Sequence, residues 1–133
     1  MGGHRFAPNM LVFPYGLLYA RLGSQDALDV VQATERGEML PDHLRGRSAY
    51  PHEAQAAEIF LRKQLDVRLI DSIKLDRILA NWNGEHMVTF SDARNGQRYK
   101  LAVRIEDKGE QVFESCLSEK TTALKKYAVT WIK

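Results

Sequence analysis

The sharpest alternation of hydrophobic and polar positions in this chain flanks Asn95-Gly96. Val88 and Phe90 alternate with Thr89 and Ser91 before it. Tyr99, Leu101, Val103 and Ile105 alternate with Lys100, Ala102 and Arg104 after it. Asn-Gly between two period-2 runs predicts a two-residue hairpin, because both central positions of a type I′ turn need φ > 0. Such a loop sets Phe90 opposite Leu101, Val88 opposite Val103, Ser91 opposite Lys100 and Met87 opposite Arg104. One face, with Val88, Phe90, Tyr99, Leu101, Val103 and Ile105, is then expected in the core. The other carries Thr89, Ser91, Arg98, Lys100 and Arg104, so the sheet is expected to have a basic, hydroxyl-bearing face.

Elsewhere the pattern is mixed. Residues 1–9 read as a loose arm. The apolar run Met10–Leu22 reads as one buried strand, or two short ones broken at Pro14-Tyr15-Gly16. Ser24 is a good N-cap for a helix that runs to about Arg36 and stops at Gly37. Residues 37–50 read as a long irregular loop. Pro51 suits the first turn of a second helix, with Ala57, Phe60, Leu61 and Leu65 at helical spacing. Asp71 or Ser72 can cap a third helix, with Leu75, Leu79 and Trp82 as its buried stripe, Ile78 beside them and Asn83-Gly84 as its stop; core packing is the expected role of Trp82, with base stacking the alternative. A three-residue turn at Asp107-Lys108-Gly109 matches Val103 to Phe113 in a third strand and brings Glu114 within reach of Arg104 and Lys100. Ser118 can cap a short helix to about Lys126, and Tyr127–Ile132 forms a last strand. The expectation is a single α+β domain over 1–133, with one antiparallel sheet of about four to five strands and two to four helices packed on one face.

Charge refines this picture. The net charge is +2, too small to imply nucleic acid by itself. Residues 86–133, however, hold nine basic and six acidic residues, whereas residues 1–85 hold ten and eleven. The excess falls where the basic sheet face is expected, which favours an anionic partner there. Cys116 is the only cysteine, which fits a reducing, cytoplasmic setting. The run Met10–Leu22 is too short to span a bilayer and is interrupted by Pro14 and Gly16, so no membrane association is expected.

Two groups of residues can carry chemistry. Arg98, Lys100 and Arg104 on the sheet, with Arg45 and Arg47 in the 37–50 loop, can hold an anion. His43, His52 and Glu114 are the candidate acids and bases. His4, His43, His52 and His86 lack metal-ligand spacing, and there is no Gly-rich phosphate loop or nucleophile elbow, so no metal or cofactor is expected. The leading expectation is an interaction protein that binds nucleic acid or an acidic protein surface, with self-association through an edge strand also open. The alternative comes from a likeness of topology. The expected order of elements resembles the small metal-independent RNase toxins of the RelE and barnase type. That resemblance implies phosphate binding and charge stabilisation by Arg98, Lys100 and Arg104, with His52, His43 or Glu114 as acid or base.

Overall fold

The computed structural model describes residues 8–113 and 121–132. Its architecture is α+β, with two helices and two antiparallel sheets in place of the single sheet expected. The smaller sheet has the order β1 (Asn9–Val12), β2 (Leu17–Ala20), β3 (Leu44–Arg47). The larger has the order β4 (Ile73–Ala80), β5 (Glu85–Asp92), β6 (Arg98–Phe113), β7 (Thr121–Trp131). The helices are α1 (Ser24–Glu35) and α2 (His52–Leu65).

Both helices form where their patterns predict. Asp26 of α1 accepts a hydrogen bond from the Gly23 N–H (2.8 Å), so the first turn is closed one residue before the expected cap. The Met10–Leu22 run divides at Pro14-Tyr15-Gly16 into β1 and β2. Within the 37–50 segment, Leu44–Arg47 adds to β2 as a third strand rather than staying irregular.

α2 lies between the two sheets and joins two cores. Ala54, Ala57 and Leu61 on one side meet Val88, Phe90, Leu101 and Val103 of the larger sheet. The second core gathers Leu17, Tyr19, Val30, Met39, Leu44 and Ile70, with Ile59 of α2 against it. A buried ionic cluster sits where these cores meet. Glu58 Oε1 accepts from Arg62 Nε (2.9 Å) and from Arg47 Nε (3.1 Å). The Arg62 guanidinium also donates to the carbonyls of Leu69 (2.8 Å) and Ile70 (3.0 Å), so it ties α2 to the segment that enters β4. Burial pulls the Arg62 pKa below its ordinary value, and the adjacent Glu58 carboxylate opposes that shift.

Three elements differ from expectation. The segment expected as a third helix is β4. Its inward residues are Ile73, Leu75 and Ile78, and a bulge between Leu75 and Arg77 inserts a step of three into a period of two. Of the expected stripe only Leu75 turns inward, while Leu79 and Trp82 are exposed. Second, Asp107-Lys108-Gly109 is not a turn, because β6 runs through it. Val103 pairs with Val129, not with Phe113. Third, residues 121–126, expected in a helix, belong to β7; Ser118, the proposed cap, lies outside the described residues.

The hairpin at Asn95-Gly96 exists, but its loop has four residues. The Gly96 N–H donates to the Asp92 carbonyl (2.8 Å), and of the Asn-Gly pair Gly96 alone has positive φ (71°). Asp92 causes the change. Its buried carboxylate accepts from the Arg94 N–H (2.9 Å) and guanidinium (2.7 Å), so it closes the loop as an Asx turn instead of pairing with Tyr99. Val88 consequently faces Leu101, and Phe90 faces Tyr99. The shift is two residues. An even slip leaves every side chain on its expected face.

Candidate functional site

The inner face of the larger sheet is covered by α2. The outer face is open, and the register lays out its side chains in rows. At one end, Lys74, Ser91 and Arg98 share a row with Asp76. Next come Arg77, Thr89 and Lys100, then Leu79, Met87, Ala102 and Thr130, then Glu85, Arg104 and Ala128, and last Glu106 beside Lys126. Six cations (Lys74, Arg77, Arg98, Lys100, Arg104, Lys126) thus stand against three carboxylates (Asp76, Glu85, Glu106) among the described residues. All six cations are exposed.

The bulge in β4 positions one of the acids. Asp76 Oδ1 accepts from the Ser91 hydroxyl (2.8 Å), and its Oδ2 lies 3.5 Å from Arg98 Nε. Glu85 pairs with Arg104 at 3.6 Å. Pairs this open contribute at most about 1 kcal/mol, so an incoming anion can replace either carboxylate at small cost.

Trp82 stands in the loop that joins two strands of this face. It occupies the β4–β5 loop Asn81-Trp82-Asn83-Gly84, where the Gly84 N–H donates to the Asn81 carbonyl (3.2 Å) and Gly84 takes φ 79°. Asn83-Gly84 therefore closes a hairpin rather than a helix. The indole is 99% exposed, not part of a core stripe. Leu79 of the apolar row, 42% exposed, comes three residues before it.

The remaining candidates lie elsewhere. Arg47 is held by Glu58 and by the Ile70 carbonyl, with its guanidinium carbon 5.7 Å from the Tyr50 ring centroid. It stabilises the interior and does not project toward a ligand. Arg45 is half-buried on β3 of the smaller sheet. His43 Nε2 lies 3.5 Å from Asp26 Oδ1, beside the start of α1. His52 opens α2 and is exposed, so it belongs to the layer that covers the inner face of the larger sheet. Arg98, Lys100 and Arg104 point the opposite way. The sheet itself thus separates His52 from the cations that would hold a phosphate, and the two do not converge on one site. Glu114 lies outside the described residues, as do Cys116 and His4.

A groove of about 350 Å³ lies at the other end of the larger sheet from Trp82, lined by Arg36, Gly37, Leu69, Asp71, Ser72 and Arg94. Its arginines have partners: Arg94 is bound to Asp92, and Arg36 lies 3.7 Å from Glu38. No group of His, Cys, Asp and Glu among the described residues has a metal-binding arrangement. No helix among them is long and apolar enough to cross a membrane.

Sequence reasoning finds half of the basic face, misses Lys74, Arg77 and Lys126, and assigns Trp82 to core packing over base stacking, whereas the indole is exposed. All four fall in segments whose spacing suggests helices, and a helical reading assigns them no place in a strand register. Comparison with protein-family models, curated proteins and solved structures gave no match, so the site stands on its own geometry.

Proposed function

We propose that this protein is a binding module that engages nucleic acid through the outer face of its four-stranded sheet. The observation that carries this reading is an open face with six cations against three carboxylates, interleaved with hydroxyls. The whole chain is nearly neutral at +2, so this face concentrates positive charge far above the average. A basic surface of this kind gains affinity by releasing the counterions condensed on a phosphate backbone. Ser91 and Thr89 add neutral hydrogen-bonding groups beside the cations, as phosphate and sugar contacts require.

The test is a gel-shift series of the purified protein with single- and double-stranded RNA and DNA at increasing salt. Binding that weakens linearly in log–log form is expected. The variant Arg98→Ala/Lys100→Ala should flatten that slope by roughly 0.7–0.9 for each phosphate no longer neutralised. Binding with an unchanged slope in this variant would place the nucleic acid elsewhere on the molecule. Shortened products that disappear in the variant would convert the reading to a nuclease. No shift at low salt would sink it and favour an acidic protein partner.

A further inference from the structure

We infer that Trp82 is a base-stacking anchor, which makes the ligand of the basic face an unpaired rather than a duplex strand. This rests on the reading of that face as a nucleic-acid surface. Trp82 is the first central residue of its turn, and the tight Asn81–Gly84 closure holds the indole out from the sheet. At 99% exposure it contributes nothing to the core, so its large apolar surface stays in water unless a ligand covers it. Trp131, by contrast, packs edge-on against Phe60 and Tyr99, each at 5.9 Å between centroids.

The position of Trp82 relative to the cations selects the ligand. The row of Arg77, Thr89 and Lys100 lies five residues along the chain from Trp82, counted from Arg77, roughly 16 Å at the rise of an extended strand. Between them lie the Leu79, Met87 and Ala102 row and the Arg104–Glu85 pair. A flexible strand can lay its phosphates over Lys100, Arg77 and Arg104 and turn a base onto the indole. A duplex cannot, because its base faces are hidden in the stack. An aromatic ring combined with a cationic track suits single strands regardless of base identity, since every base has a π-face.

The experiment uses Trp131→Phe protein, in which Trp82 is the only indole and the Phe60 and Tyr99 contacts keep an aromatic partner. An oligothymidylate of about ten nucleotides, matched to the scale of known single-strand sites, is titrated at low salt alongside its duplex. Emission reports on Trp82, and anisotropy of a labelled strand reports binding. Quenching of Trp82 along the anisotropy curve is expected for the single strand. Trp82→Ala should weaken that strand about tenfold and leave the duplex unchanged, with Trp82→Phe in between. An unchanged melting temperature in Trp82→Ala confirms that the fold is intact. Strand binding without quenching, and equal in Trp82→Ala, overturns the stacking role while the basic-face reading survives. No binding of either form removes both. A blue shift with phosphatidylserine vesicles but no response to the oligonucleotide also overturns the inference and assigns the tip to a membrane surface.

Discussion

Two buried carboxylates show what a single residue decides here. Glu58 neutralises two guanidinium groups from different elements, Arg62 of α2 and Arg47 of β3. Glu58→Gln keeps the shape and leaves two buried cations without their counter-charge. It should cost about 3–5 kcal/mol, measured as a lower urea midpoint with an unchanged slope. Asp92 acts at the hairpin. Its hydrogen bonds from Arg94 hold its pKa below the ordinary aspartate value of about 3.9. A depressed native pKa means the stabilisation is complete above the unfolded value and is lost as pH falls through the native one. Asp92→Asn should therefore lower stability at neutral pH, and the gap to the parent should close as pH falls below about 3.9. A gap that stays constant with pH would contradict the assignment. Neither role is legible in the sequence. The Arg-Gly-Arg step makes Arg47 resemble an anion ligand, and nothing along the chain announces that Glu58 lies beside it.

At the scale of elements, the seam between β3 and α2 depends on Gly46. Its φ is 134°, and a Cβ there would lie 2.5 Å from both Cβ and Cγ of Gln55. Gln55 cannot simply move away, since its amide donates to the carbonyls of Arg47 (2.8 Å) and Tyr50 (2.9 Å). Gly46→Ala should therefore destabilise by about 1–3 kcal/mol and speed amide exchange in β2 and β3 before the larger sheet responds. β4 carries the complementary lesson. Local pattern identifies α1, α2 and the β5–β6 hairpin because their caps and periods lie within a few residues. The inserted residue near Asp76 breaks the two-residue period of β4, so its alternation is hidden along the chain and the Leu75, Leu79 and Trp82 spacing reads as a helix. The hairpin register slips by two because Asp92 captures its loop, yet the faces survive because the slip is even.

For the molecule as a whole, α2 covers the inner side of the four-stranded sheet and leaves a charged outer side beyond it. If that outer side binds phosphates, its own carboxylates compete with the ligand. Asp76→Asn should then tighten nucleic-acid binding severalfold at low salt, with the advantage fading as salt screens the face; anisotropy over a salt series would show it. Weaker binding would mean that Asp76 positions Arg98 rather than competing with the ligand. Neighbours along the chain are enough to specify the two helices, the hairpin and the division of its side chains into a buried and a basic face, since caps, turns and periods act over a few residues. They do not specify that there are two sheets, that Arg47 turns inward, that Trp82 stands in solvent or that His52 lies across the sheet from Arg98 and Lys100. Those outcomes depend on which elements stack and in what register, and stacking is set by contacts between residues far apart in sequence.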